Sequence, residues 1–166
     1  MQVLLNKKTV TLSSLRKIGI VFAQALKSGD LVYLCGPLGV GKTALVRFIA
    51  QALEVTDLVR SPSFTIANTY SGGFLDSRPI VVHHLDLYRL DKICEDDALA
   101  LEEFQNNEAI TFVEWPQVGE HIMGMPHWVV VMEHCSLNER SVLLKANTKE
   151  AAERWRQAKY NMQYNQ

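Results

Sequence analysis

Apolar residues recur along the chain in two rhythms, one strand-like and one helical, and the alternation marks out its elements. Within Met1–Val10, the run Val3-Leu4-Leu5 predicts a short strand. Leu15, Ile18, Phe22, Ala25 and Leu26 fall at helical spacing and predict an amphipathic helix over Leu15–Leu26. Thr11, Ser13 and Ser14 offer N-cap oxygens ahead of it, and Lys27-Ser28-Gly29-Asp30 turns the chain out of it. Leu31-Val32-Tyr33-Leu34-Cys35 has the pattern of a buried strand. Past a glycine-rich stretch the helical rhythm returns from Ala44 to Leu53, carried by Leu45, Ile49, Ala52 and Leu53.

The second half continues the alternation. After Pro62, the residues Phe64, Ile66, Asn68 and Tyr70 alternate with Thr65, Ala67 and Thr69 and predict a strand, with Ser71-Gly72-Gly73 as the turn that follows. Pro79–Arg89 is an apolar strand that meets an acid, Asp86, near its end. Leu90–Gln105 reads as partly helical, with Leu99, Leu101 and Phe104 inward and Glu95-Asp96-Asp97 matching a helix start. Ala109–Glu114 is a second apolar strand ending in an acid, and Trp115-Pro116 forces the chain out of it. Val118–Met125 predicts a short helix and turn. Trp128–Glu133 and Arg140–Ala146 predict an antiparallel pair around the loop Cys135–Glu139. Lys149–Tyr160 predicts a last helix, with Trp155 and Tyr160 set among Arg154, Arg156 and Lys159. That interleaving fits either a docked helix with a charged outer face or an RNA contact.

Composition narrows the class. The 166 residues suit one domain, 1–166, with a real core; 48% are hydrophobic and 21% charged, as expected of a globular chain. A net charge of −1 advertises neither a nucleic-acid nor a membrane surface. Cys35, Cys94 and Cys135 lack C-x-x-C spacing and read as reduced thiols. The start lacks the apolar core of a signal peptide, and no apolar run approaches membrane-spanning length, so the expected location is cytoplasmic.

The glycine-rich stretch brings in the chemistry. Gly36-Pro37-Leu38-Gly39-Val40-Gly41-Lys42-Thr43 fits G-x-x-x-x-G-K-[ST] between a predicted strand and a predicted helix. Glycines let such a loop turn tightly and present backbone N–H groups to phosphate oxygens, and the following helix aims its positive end at the same anion. Gly36, Leu38, Gly39, Val40, Gly41, Lys42, Thr43 and Ala44 are therefore the expected nucleotide-binding residues, with Lys42 on the β- and γ-phosphates and the Thr43 hydroxyl on Mg²⁺. Asp86 and Glu114, each at the end of an apolar strand, are the expected acids of the metal and water site. The hydroxyls between Ser61 and Thr65 fit either a switch-like loop or a capped turn. His83 and His84 are adjacent on a strand, point to opposite faces and do not share a metal ion. His121, His127 and His134 show no ligand spacing and read as structural or surface residues.

Four stretches together carry a family resemblance: the glycine-rich loop, Ser61-Pro62-Ser63-Phe64-Thr65, His84-Leu85-Asp86-Leu87-Tyr88-Arg89-Leu90 and Val113-Glu114-Trp115-Pro116. In this order the chain resembles the TsaE family of bacterial tRNA threonylcarbamoyladenosine proteins. The resemblance implies an α/β P-loop NTPase three-layer sandwich with a mostly parallel central sheet, beside the antiparallel C-terminal pair. It implies ATP and Mg²⁺ as cofactors, slow hydrolysis, and work with TsaB and TsaD in the modification of adenosine 37 of tRNA, where the ATPase resets the complex. It implies catalytic roles for Lys42, Asp86 and Glu114, metal contacts for Thr43, Glu114 and Asp86, nucleotide contact for Thr65, and a functional tryptophan at Trp115. Pro37 departs from the family's usual Asp and removes a charge and an N–H from the loop; Ser63 stands where threonine is usual. Two other readings of the residues are a small-molecule kinase, against which the scattered arginines weigh, and a nucleotide-gated binding module with negligible turnover.

Overall fold

From its start the chain lays down β1 (Gln2–Val10), α1 (Leu12–Ala25), β2 (Leu31–Cys35), α2 (Lys42–Ala52), β3 (Ala67–Leu75), β4 (Arg78–Asp86), β5 (Ala109–Glu114), α3 (Glu120–Met123), β6 (Trp128–His134), β7 (Arg140–Ala146) and α4 (Lys149–Tyr164). A 3-10 turn, Pro116–Val118, precedes α3, and residues 100–102 are helical. The computed structural model describes residues 1–62, 65–75, 78–90, 100–105 and 108–164. Ser63, Phe64, Cys94, the Glu95-Asp96-Asp97 cluster and Leu99 lie outside the described residues.

The strands form one mixed sheet in the order β1-β7-β6-β2-β5-β4-β3. Parallel pairing is confined to its centre, where β2 lies between β6 and β5, and β5 pairs β4. The antiparallel β6–β7 pair is present as expected, but antiparallel pairing also adds β1 to β7 and β3 to β4, so both edges differ from a mostly parallel sheet.

β2 is apolar throughout because both its faces are covered. Val32 and Leu34 belong to one core cluster with Leu15, Ile18 and Phe22 of α1, Leu45 and Ile49 of α2, and Trp155 of α4. Tyr33, pointing the other way, belongs to a second cluster with Leu85, Leu87, Leu101, Val113 and Met123. The Thr11 hydroxyl caps α1 by accepting the Ser14 N–H at 3.3 Å, which starts the helix a turn earlier than its apolar stripe.

α4 is docked. Trp155 packs edge-on to Phe22 at 6.0 Å between ring centroids. Arg154 forms a two-pronged pair with Asp30, at 2.8 and 2.9 Å. Asp30 is 1% exposed and also accepts the Trp128 indole N–H and the Lys27 N–H, each at 3.0 Å. Two of the aromatic and basic residues of this helix are thus committed to the fold. Among the described residues no helix is long and apolar enough to cross a membrane.

One expected turn is absent. Ser71-Gly72-Gly73 lies inside β3, at a register shift between Tyr70 and Gly73. The glycines serve close approach instead: a Cβ on Gly73 would lie 2.7 Å from the Leu53 carbonyl oxygen, and one on Gly72 2.4 Å from Thr56 Oγ1. The strand itself begins at Ala67, because Ile66 holds a left-handed φ of 65°.

Candidate functional site

β2 ends at Cys35 and the chain folds back through Gly36–Gly41 before α2 begins at Lys42. Gly36, at φ 144°, passes under β6, where any Cβ would lie 2.3 Å from the Met132 carbonyl oxygen. Gly41 caps α2 at φ 113°. The turn leaves a row of donors open. Among the described residues, nothing accepts a hydrogen bond from the amides of Gly39, Gly41, Lys42, Thr43 or Ala44, and the first helical amide to find a partner is Leu45, on the Gly41 carbonyl at 2.9 Å. Unpaired amides at the head of a helix, carrying its positive end, form an anion-binding cradle. Leu38 is exposed at the tip, whereas Val40, expected to contact the nucleotide, is fully buried and its N–H donates to the Pro37 carbonyl at 3.4 Å.

Three side chains converge beside this cradle. Lys42, 4% exposed, donates from Nζ to the carbonyls of Gly36 at 2.9 Å and Pro37 at 3.1 Å. It lies 3.6 Å from Glu114 Oε2. The Thr43 hydroxyl donates to Glu114 Oε1 at 2.7 Å. Asp86 is the ladder partner of Glu114 across the parallel β4–β5 pair, so both acids stand on one face at the carboxyl ends of their strands. Burial pushes the Lys42 amine down, and the charges of Glu114 and Asp86 oppose that shift. Burial pushes Glu114 up, but hydrogen bonds from His84 and Thr43, with the charges of His84 and Lys42, outweigh it and hold the carboxyl below its ordinary value.

His84 is the site member the sequence concealed. It is fully buried, and its Nε2 lies 3.0 Å from Glu114 Oε1, while Nδ1 has no partner among the described residues. Its neighbour His83 faces the other side, against Thr69 Oγ1 at 3.0 Å and the Phe104 ring. Only the strand register decides which of two adjacent histidines meets Glu114.

Trp115 also joins the site. It stands at a left-handed φ of 57°, a strained conformation for a bulky residue. Its ring covers Lys42 Nζ at 4.5 Å from the centroid and leans on Tyr88 at 4.8 Å. Thr65 is not bonded to the acids; its hydroxyl donates to Asn68 Oδ1 at 2.9 Å. The next residue ties that loop to the site, since the Ile66 carbonyl accepts the Asp86 N–H at 2.8 Å. Among the described residues no three His, Cys, Asp or Glu side chains cluster to hold a metal ion. Thr43, Asp86 and Glu114 instead offer a few hard oxygens beside an anion cradle, a donor set suited to Mg²⁺ completed by phosphate and water.

The chain as a whole is similar to known proteins. The family model described as threonylcarbamoyl adenosine biosynthesis protein TsaE matches residues 9–142. The chain belongs to the TsaE family. A Bacillus subtilis relative, a tRNA threonylcarbamoyladenosine biosynthesis protein TsaE, is 31% identical over 142 residues, 86% of this chain and 85% of its own. A Haemophilus influenzae TsaE is 30% identical over 141 residues, 81% of this chain and 85% of its own. The crystal structure of Bacillus subtilis YdiB superposes with a TM-score of 0.75 at 25% identity, over 98% of this chain and 99% of that one. The TsaE match takes in the glycine-rich loop, both acids, His84 and Trp115, and reaches past Arg140.

Proposed function

We propose that this chain binds ATP with Mg²⁺ on the Gly36–Thr43 loop, hydrolyses it slowly, and thereby supports the threonylcarbamoylation of tRNA adenosine 37. TsaB-like and TsaD-like proteins are its partners in that work. One observation carries the nucleotide reading: the open amides of Gly39, Gly41, Lys42, Thr43 and Ala44 beside buried Lys42. A phosphate suits so many donors gathered at the head of a helix beside a buried lysine.

The residues divide the work by position. The loop amides and Lys42 hold and orient the phosphates. Thr43 and the two acids would hold Mg²⁺, which when bound neutralises phosphate charge. Glu114, fixed by His84 and Thr43 in its deprotonated form, orients a water for in-line attack, with Asp86 one strand away. Trp115 shields Lys42 from solvent and offers its outer face to a partner. Membership in the TsaE family supports the pathway assignment.

The test is direct. Lys42→Ala should abolish binding of Mg·ATP in a calorimetric titration, and unchanged affinity would remove the site assignment. Asp86→Asn and Glu114→Gln should fold and bind nucleotide but lose ten- to a thousand-fold in turnover, on the order of other polar groups that act at a reacting centre. Turnover should rise when TsaB, TsaD and tRNA are supplied together.

A further inference from the structure

Arg140 opens β7, 100 positions from the glycine-rich loop, and its side chain runs into the protein beneath that loop. It is 9% exposed. Its Nε donates to the Val40 carbonyl at 3.1 Å, and its Nη1 reaches the Val10 carbonyl at 3.4 Å and the Asn138 carbonyl at 3.5 Å. Among the described residues it forms no ion pair. A buried cation spent on carbonyl groups alone is costly to keep, so what it does to those carbonyls matters.

Two consequences follow from peptide geometry. Helix α2 would continue one residue further back if the Ala44 amide bonded the Val40 carbonyl, four residues before it. That carbonyl is turned to Arg140 instead, and Ala44 N–H stays open. The Val40–Gly41 peptide is also trans, as is every peptide bond among the described residues. In a trans peptide the C=O and the N–H point in opposite directions. Holding the Val40 oxygen toward Arg140 therefore aims the Gly41 N–H away from Arg140, and Gly41, like Lys42, Thr43 and Ala44, keeps its amide open.

We propose that Arg140 is the positioning residue of the glycine-rich loop: its guanidinium holds the Val40 carbonyl away from α2 and so keeps the Gly41 and Ala44 amides free and aligned for a phosphate. This rests on the nucleotide reading above and extends it to a residue with no place in the loop motif. Arg140 does not touch the ligand; it sets the angle of the peptides that do. Its buried positive charge also stands behind the loop, where it favours an anion on the other side.

The full chain titrated with ADP and Mg²⁺ tests this, for wild type, Arg140→Met, Arg140→Lys and Asp30→Ala. Asp30 lies at the opposite end of β2, so its variant loosens the fold without touching the loop. Arg140→Met should bind about tenfold more weakly, the order expected for losing one charge-assisted hydrogen bond. Arg140→Lys should fall between, and Asp30→Ala should bind as wild type where folded. In amide NMR spectra, the shifts that ADP produces at Gly41 and Ala44 in wild type should shrink in both Arg140 variants. If Arg140→Met fails to fold, Arg140→Lys carries both readouts. Wild-type affinity and unchanged Gly41 and Ala44 shifts in the folded Arg140 variants overturn the inference while the nucleotide site stands. Failure of wild type itself to bind overturns the nucleotide reading first.

Discussion

Glu114 joins three side chains of the site: one oxygen takes both the Thr43 hydroxyl and His84 Nε2, and the other faces Lys42. The folded protein keeps this carboxyl deprotonated to lower pH than the unfolded chain does. Its stabilising contribution is therefore fully present above the ordinary glutamate value of 4.5 and is lost as pH falls through the depressed folded value. Wild type should exceed Glu114→Gln by about 1–3 kcal/mol in unfolding free energy at neutral pH. The two should converge on acidification, as read from urea titrations at a series of pH values; a gap that widens toward acid contradicts the sign. At this scale the sequence was legible wherever chemistry is local. Lys42 and Thr43 follow from spacing within one loop, and Asp86 and Glu114 from their place at the ends of apolar runs. His84 and Arg140 were not legible, because their contacts come from strand register and from a pairing that spans 100 positions.

At the scale of elements, the loop between β2 and α2 depends on two different kinds of glycine. Gly36 is needed for both its φ of 144° and the Met132 carbonyl 2.3 Å from where a Cβ would stand. Gly39, at φ 74°, has no atom of the described residues within 4 Å of that position. Gly36→Ala should therefore lose about 2–5 kcal/mol, backbone strain and steric conflict together. Gly39→Ala should lose only about 1–2 kcal/mol, the left-handed penalty alone. Thermal unfolding of the pair separates the two causes, and equal losses would show that packing under β6 is unimportant. The strand–loop–helix unit and the two acid-ended strands were readable from periodicity because each is a continuous local pattern. The bulge in β3 was misread as a turn because Gly72 and Gly73 carry the same residue-level signal in both settings. What tells them apart is Leu53 and Thr56 packed against them, which periodicity does not report.

For the whole molecule, the sheet's order joins distant parts of the chain, and Asp30 is where three of them meet. It binds Arg154 of α4, Trp128 of β6 and the Lys27 backbone at the end of α1. Removing one partner of a buried ion pair strands the other, so Asp30→Ala should cost about 3–5 kcal/mol in denaturant unfolding. A loss below 1 kcal/mol would mean that α4 holds by its apolar face alone. The alternation of strand and helix was enough to expect an α/β protein, but not the order of strands or the antiparallel edges, which depend on long-range pairing.

The pairing of Asp86 with Glu114 has one more consequence. Their backbones sit one rung apart on neighbouring parallel strands, at the roughly 4.8 Å spacing that hydrogen bonding imposes on any sheet. The sheet thus acts as a ruler for the two charges. The glycine-rich loop can be rebuilt around it while the backbone gauge between the acids stays the same.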